Sequence, residues 1–206
     1  MERIYRKTPL NEIPWNIETP PEVLTRLVES GKVKPCKTLD LGCGTGNYSI
    51  YLASLGFEVT GIDISPTAIK IAQENAKRKG INCEFLVANV LGNLNKVKDT
   101  FDFAYDWELL HQIFPEQRRI YVKNVYEILN PGAKYLSVCF SENDPGFGGS
   151  GKYRKTRLCT ILYFSSEDEL RALFEQYFKI KELKTIGING NPTSHLANYA
   201  FMEKRN

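Results

Sequence analysis

LDLGCGTGNYS, at residues 39–49, joins a short apolar run to a helical pattern through three glycines at alternate positions. This order predicts a strand, a tight loop and a helix. Glycine accepts positive φ and leaves no Cβ between the backbone and a ligand, so the loop is predicted to bind one. Asn47 stands where a dinucleotide fingerprint would have its third glycine, and the chain has no phosphate P-loop motif. The spacing therefore argues against both of those nucleotide sites.

Two acidic residues narrow the choice of ligand. Asp40 lies just before the glycines, where its charge would repel a pyrophosphate and attract an ammonium or sulfonium group. The run FEVTGID, at residues 57–63, predicts a short strand that ends in Asp63. That position is about twenty residues beyond the glycines, where such folds place the carboxylate that accepts the ribose hydroxyls. The pattern predicts a nucleoside ligand that is positive near Asp40.

Residues 39–49, together with GIDIS at 61–65, resemble the S-adenosylmethionine site of the class I methyltransferases. The resemblance implies S-adenosyl-L-methionine as the cofactor and S-adenosyl-L-homocysteine as its product. A structural glycine turn followed by a merely solvated carboxylate is the alternative. The implied cofactor site consists of Asp40, Gly42, Cys43, Gly44, Asp63 and Ile64.

The exit of the third predicted strand departs from the family pattern. Class I methyltransferases usually have an Asp there, whose carboxylate accepts a hydrogen bond from the adenine amino group, whereas this chain has Asn89. The carbonyl of Asn can still accept that bond, and its amide adds a donor. The resemblance thus implies adenine binding by Asn89 and by the backbone amide of Val90. The alternative is an asparagine that only shapes a turn.

The N-terminal segment carries Trp15 shortly before a helix that opens at Pro21 and ends near Gly31. This arrangement resembles the thiopurine, thiol and tellurite-resistance branch of the family, in which an N-terminal arm closes over the cofactor. The resemblance implies that Trp15 lies beside the sulfonium, where a cation–π interaction would stabilise it. Packing of this tryptophan on the core is the alternative.

The remaining pattern alternates short strands with amphipathic helices, which predicts parallel strands joined by right-handed crossovers. We predict a doubly wound, Rossmann-like α/β fold. Its mostly parallel seven-stranded sheet has helices on both faces and a C-terminal antiparallel strand pair. Residues 1–206 are predicted to form a single domain, in which 1–31 provide the arm and covering helix and 141–164 an acceptor-side loop or lid.

The fourth predicted strand, FDFAYD at residues 101–106, ends where ligands bind in such sheets. Asp106 is predicted to contact the cofactor and, with His111, is a candidate general base. Trp107 and Glu108 are further candidate site residues. A histidine that is solvated, or whose hydrogen bonds are satisfied in the core, is the alternative reading of His111.

The predicted lid is rich in glycine and carries four cations. They are either attractants for an anionic acceptor or parts of a solvated basic loop. These cations are Lys152, Arg154, Lys155 and Arg157.

The composition excludes several classes of function. The 27 basic and 24 acidic residues leave a net charge of +3, too balanced to indicate nucleic-acid binding. The five cysteines form no C-x-x-C pair, so neither a metal site nor a disulfide framework is predicted. No apolar run has the length of a signal peptide core or a membrane span. We therefore expect a cytoplasmic monomer or homodimer without a metal, a membrane or a nucleic-acid partner.

The predicted activity is methyl transfer from S-adenosylmethionine to a small-molecule acceptor, such as a thiol or another soft heteroatom. A thiol is already partly ionised at neutral pH and makes little demand on a base. Two alternatives remain: a protein or RNA methyltransferase, and a non-catalytic sensor that binds adenosylmethionine.

Overall fold

The computed structural model describes residues 1–92, 94, 97–147, 150–190 and 193–205. Nine strands are present in these residues. In chain order they are β1 (Lys37–Leu41), β2 (Glu58–Asp63), β3 (Glu84–Val87), β4 (Phe101–Trp107), β5 (Leu129–Phe140), β6 (Tyr153–Lys155), β7 (Ile161–Tyr163), β8 (Phe178–Ile188) and β9 (His195–Lys204).

Seven of the strands form one sheet in the order β3-β2-β1-β4-β5-β9-β8. The pairs from β3 to β5 are parallel, and those of β9 with β5 and β8 are antiparallel. The predicted sheet with its C-terminal antiparallel pair is confirmed. The strand order reverses between β1 and β4, and ligands of open α/β sheets bind beyond the carboxyl ends of the strands at such a point.

Six α-helices accompany the sheet in the described residues, and their apolar side chains form clusters on both of its faces. On one face, α2 and α3 pack through Leu24, Leu27 and Leu52; on the other, α5 and α6 pack through Tyr121 and Phe174. The helices are α1 (Glu2–Lys7), α2 (Glu22–Glu29), α3 (Asn47–Ser54), α4 (Pro66–Lys79), α5 (Pro115–Ile128) and α6 (Glu167–Phe174).

The segment 141–164 contains regular structure, whereas the sequence predicts a loop. Strands β6 and β7 pair as an antiparallel hairpin within it. Arg154, the middle residue of β6, is buried, and its guanidinium donates to the carbonyls of Glu142 (2.8 Å), Gly146 (3.1 Å) and Gly151 (2.8 Å). Positions 148 and 149 lie outside the described residues. Arg154 therefore holds the described part of this segment together through hydrogen bonds. The prediction that it attracts an anionic acceptor is wrong.

No helix in the part of the chain that the structure describes is both long and apolar enough to cross a membrane. The same residues contain no group of three or more His, Cys, Asp or Glu side chains arranged to hold a metal ion.

Candidate functional site

The glycine loop between β1 and α3 is fastened to the neighbouring strand. The backbone amides of Gly42 and Cys43 both donate to the carbonyl of Ile62, at 2.8 and 2.9 Å. Gly44 and Gly46 have φ of +54° and +77°, a region that residues with a Cβ rarely adopt. The loop is thus a fastened turn at the carboxyl end of β1 in which every second residue lacks a Cβ. Burial raises the pKa of the Cys43 thiol, which makes this cysteine a poor nucleophile.

Asp63 lies at the end of β2 with 8% of its surface exposed. One carboxylate oxygen accepts a hydrogen bond from the amide of Gly44 (3.0 Å), and the other accepts from the amide of Ser65 (2.8 Å). Each oxygen retains acceptor capacity for a second bond. Burial raises the pKa of this carboxyl, and the two amide bonds oppose that shift. The side chain is therefore fixed in place with two acceptors available, as a vicinal diol requires.

Asp40 is buried at the base of the loop. One of its carboxylate oxygens accepts hydrogen bonds from the hydroxyls of Ser49 and Tyr105, both at 2.6 Å. Burial raises its pKa to about 6, and the two hydroxyl bonds oppose that shift. Because these donors occupy one oxygen, the other is the oxygen available for a cation.

The N-terminal segment covers the glycine loop. The hydroxyl of Thr45 donates to the side-chain carbonyl of Asn16 at 2.6 Å, which ties the segment to the loop. The indole N–H of Trp15 donates to the hydroxyl of Tyr5 at 2.9 Å, and the two rings meet edge-on. That hydroxyl lies only 2.8 Å from the point where a Cβ on Gly44 would stand. No motif in the sequence marks Tyr5 as a site residue.

A cavity of about 1250 Å³ runs from the glycine loop to the hairpin of β6 and β7. Its first end is formed by the loop, by Asp40, Asp63 and Ile64, and by the N-terminal segment. The other end, here called the aromatic chamber, is walled by aromatic side chains from β4, β5 and β9 and the loops that follow β4 and β5. These are Trp107, His111, Phe140, Phe147 and His195.

Comparison with known proteins agrees with this geometry. A family model described as a methyltransferase domain matches residues 38–132. An O-methyltransferase of Aspergillus nomiae is 32% identical over 82% of this chain and 77% of its own length. This chain belongs to the S-adenosylmethionine-dependent methyltransferases. A 2-heptyl-1-hydroxyquinolin-4(1H)-one methyltransferase of Mycobacteroides abscessus is 29% identical over 86% of the chain and 74% of its own length.

Two further matches of the methyltransferase involve sulfur. A solved structure that reports the conversion of a disulfide bond into a thioacetal group during echinomycin biosynthesis superposes with a TM-score of 0.83 at 25% identity, covering 99% of this chain and 91% of that one. A probable thiol methyltransferase of Arabidopsis thaliana is 27% identical over 62% of this chain and 56% of its own length. The predicted likeness to the thiol branch of the family is confirmed.

The cavity of the methyltransferase suits its cofactor, S-adenosylmethionine. A glycine-rich loop, a carboxylate with two available acceptors and an apolar side chain, Ile64, meet at its first end. Asn89 and Val90 also line the cavity. The side-chain carbonyl of Asn89 accepts a hydrogen bond from the amide of Leu91 at 3.0 Å, so this asparagine shapes its own turn.

His111 lines the aromatic chamber of the methyltransferase but is unsuited to the predicted role of base. Its ring stacks on Phe140 at 4.3 Å, and its Nδ1 accepts from the amide of that residue at 3.4 Å. Burial, with the nearby Arg118 and His195, lowers its pKa to about 3. With Nδ1 engaged as an acceptor, Nε2 carries the proton. His111 is therefore a neutral hydrogen-bond donor in this chamber.

Asp106 does not line the cavity, contrary to the prediction from the sequence. It is fully buried on the side of the sheet that α5 covers, where its carboxylate accepts from the hydroxyls of Tyr121 (3.1 Å) and Tyr135 (2.6 Å). The amide of Leu110 donates to its other oxygen at 3.3 Å. The predictions of Asp106 as a cofactor ligand and as a base are wrong; it joins β4, β5 and α5.

Asp106→Asn is expected to leave cofactor affinity unchanged while altering how stability depends on pH. Burial raises the pKa of Asp106 to about 6, so the folded protein holds this proton more tightly than the unfolded chain. The resulting stabilisation is complete below the unfolded pKa of about 4 and is lost as pH rises through the folded value. The free energy of unfolding, measured with urea at pH 4 and pH 7, should fall between these pH values in both proteins. The fall should be larger in the wild type than in the variant by about 2–3 kcal/mol. Equal losses would contradict this assignment.

The cations of the hairpin segment divide into two groups. Lys152 forms ion pairs with Glu142 (3.1 Å) and Glu169 (2.7 Å), away from the cavity. Lys155 and Arg157 are exposed and line the cavity. Two of the four predicted attractants therefore lie at the mouth of the aromatic chamber.

Proposed function

We propose that the methyltransferase methylates a sulfur, or another soft and readily ionised heteroatom, on a small planar or apolar molecule. The observation that carries this proposal is the aromatic chamber, which opens directly onto the glycine loop within one cavity. Aromatic walls suit an apolar, polarisable acceptor. The structure and the relatives with sulfur chemistry favour sulfur, whereas the Aspergillus relative favours oxygen.

The chemistry that the cofactor supplies is an electrophilic methyl group with a good leaving group. The chain's part is to align the acceptor with that methyl group and to exclude water. Trp107 and Phe140 form apolar walls that exclude water. A water-free pocket favours methyl transfer, because the charges of the sulfonium and the ionised acceptor neutralise each other. His111 and Asp106 are unsuited to proton removal, and an acceptor that loses its proton easily makes the smallest demand on any base in this chamber. Lys155 and Arg157 would attract its anionic form to the mouth.

We assign the cofactor contacts as follows. Asp63 accepts hydrogen bonds from the ribose hydroxyls, and Asp40 attracts the positive methionine end. Ile64 packs on the adenine, whose edge faces Asn89 and the amide of Val90. Trp15 and Tyr5 cover the loop from the N-terminal segment. We also propose that residues 1–206 act as one domain, with 141–164 forming the acceptor side.

The experiment is calorimetric titration with S-adenosylmethionine, followed by an assay for S-adenosylhomocysteine with three acceptors: thiophenol, 2-mercaptoethanol and phenol. We expect cofactor binding and turnover in the order thiophenol, then alkyl thiol, then phenol, which follows the ease of ionisation. Total RNA and unfolded protein should not be methylated. Methylation of RNA or protein alone would overturn the proposal, and cofactor binding without any turnover would favour the sensor.

A further inference from the structure

Glu108 is the first residue after β4, where the two ends of the cavity meet. It lines the cavity between Trp107 and Leu109. The side chain of Leu109 lies 3.0 Å from the point where a Cβ on Gly42 would stand, so this segment touches the glycine loop. Trp107 meets the ring of Tyr48 edge-on at 6.4 Å. Glu108 is thus placed between the cofactor loop and the aromatic chamber.

The backbone of Glu108 is held in an unfavourable conformation. Its φ is +65°, and its amide donates to the carbonyl of Val138 at 2.8 Å, which fixes the turn. A glycine would adopt this φ without strain, whereas a residue with a Cβ does so at a cost in stability. Strained residues that persist in a cavity wall are concentrated at functional sites. The side chain at this position therefore has a role that the turn itself does not require.

The side chain of Glu108 is half-buried in the cavity wall. Within the described residues, no hydrogen bond or ion pair to this carboxyl is present, and desolvation raises its pKa to about 7. A carboxyl that titrates near neutrality is matched to proton transfer at physiological pH. Asp63 differs, since two backbone amides donate to its carboxylate.

We propose that Glu108 is the general base of the methyltransferase, which accepts the proton of the acceptor's thiol or hydroxyl during methyl transfer. This inference rests on the proposed function. The heteroatom uses a lone pair to form the bond to the methyl carbon, and the carbon–sulfur bond of the sulfonium breaks with its electron pair on sulfur. The heteroatom's proton passes to the Glu108 carboxylate and then to water. No further oxidant, reductant or co-reactant is needed.

Several other titratable groups around the cavity are unsuited to this role. Burial raises the pKa of Tyr48, on α3, above its ordinary range, so it stays protonated. Asp40 is held by two hydroxyls beneath the glycine loop. His195 points its Nδ1 at Asp144, 3.3 Å away. Lys155 and Arg157 are exposed at the mouth and carry positive charge. Glu108 is the candidate in the described cavity wall that combines access with a suitable acidity.

The test compares wild type with Glu108→Gln, which keeps the shape of the side chain and removes its basicity. The acceptors are 4-nitrothiophenol, which is ionised at pH 7.5, and 2-mercaptoethanol and phenol, which are not. We expect Glu108→Gln to lower kcat/KM about a hundredfold or more for the two protonated acceptors. For 4-nitrothiophenol the expected change is about threefold or less, because no proton has to be removed. Glu116→Gln, an exposed position on α5, is the matched control and should behave as wild type.

The outcomes separate this inference from the proposed function. An equal loss with all three acceptors would show a packing role, and no loss with any of them would exclude a base; either result overturns the inference while the proposed function stands. Wild-type inactivity toward the whole panel, with cofactor binding intact, would overturn the proposed acceptor class and the role of Glu108 with it.

A readout without acceptor comes from infrared difference spectra of the wild type and Glu108→Gln between pH 5 and 9. The band of a protonated carboxyl should be lost on substitution, with a midpoint near 7 in the wild type. A midpoint below 5 would overturn the inference. Glu108→Gly should raise the Tm by about 2 °C through relief of the positive φ while losing the same activity, which separates strain from chemistry.

Discussion

Asp63→Ala is expected to weaken the binding of S-adenosylmethionine by about ten- to a hundredfold. The substitution removes charge-assisted hydrogen bonds to the ribose, worth about 1.5–3 kcal/mol. The effect is expected to lie at the upper end, because Asp63 also accepts from the amide of Gly44 at 3.0 Å and so holds the glycine loop against β2. Calorimetric titration of both proteins measures the change.

Asp63→Asn separates the two roles of this carboxyl. It keeps one acceptor oxygen for the amide of Gly44 or Ser65 and lacks the charge, so its affinity should fall between those of wild type and Asp63→Ala. Asp168→Ala, an exposed position on α6, is the control for the loss of a carboxylate elsewhere and should bind as wild type does. Unchanged affinity in a folded Asp63→Ala protein would exclude the ribose assignment.

The glycine loop and Asp63 were predictable because their signals are local in the sequence. A strand, a Cβ-free turn and a strand-end acid follow one another over residues 39–63, and each residue type has a direct physical reason for its position. The sheet was predictable for a similar reason, since alternating strands and helices permit few topologies. Its parallel pairing from β3 to β5 agrees with that expectation.

The errors concern the direction in which side chains point, which the sequence does not determine. Tyr105 and Asp106 are neighbours on β4 and therefore face opposite sides of the sheet. Tyr105 reaches Asp40 on the site side, while Asp106 lies among tyrosines beneath α5. Which of the two faces the site depends on the register of β4 with β1 and β5. A shift of one residue would have exchanged them.

Arg154 and Tyr5 show a second limit of the sequence. The role of each residue depends on partners that the local sequence does not reveal. Arg154 donates to carbonyls up to twelve positions away in the chain. Tyr5 accepts a hydrogen bond from the indole of Trp15 and lies over Gly44. A basic residue in a glycine-rich segment looks solvated unless the fold of that segment is known. The same holds for Glu108, whose strain and desolvation become visible only in three dimensions.

Gly46→Ala is expected to destabilise the fold by about 2–5 kcal/mol, which is a large share of a typical domain's stability. The residue has φ of +77°, which costs a residue with a Cβ about 1–2 kcal/mol. A Cβ here would also lie 2.7 Å from the ring of Phe85 and 2.9 Å from the Cβ of Ala72. Overpacking of this kind adds about 1–3 kcal/mol. Urea denaturation followed by circular dichroism gives the free energy of unfolding.

Two further glycines separate these contributions. Gly80 has φ of +65° with nothing within 4 Å of a Cβ, so Gly80→Ala should show the backbone term alone. Gly61 has no positive φ, but its Cβ would lie 2.8 Å from the same Phe85 ring, so Gly61→Ala should show the steric term alone. If Gly46→Ala lowered the free energy of unfolding no more than Gly80→Ala does, the ring of Phe85 would have to move aside at no cost.

The glycines in and beside the loop differ in the side to which a Cβ would point. Phe85 fills the space beneath both Gly46 and Gly61, so a Cβ at either position would collide with the same aromatic ring. At Gly44, by contrast, a Cβ would meet the hydroxyl of Tyr5 at 2.8 Å, on the side that faces the cavity. Gly44→Ala should therefore lower cofactor affinity in addition to the backbone cost of its φ of +54°, whereas Gly46→Ala should act mainly on stability. The ratio of the two effects identifies which side of the loop each glycine serves.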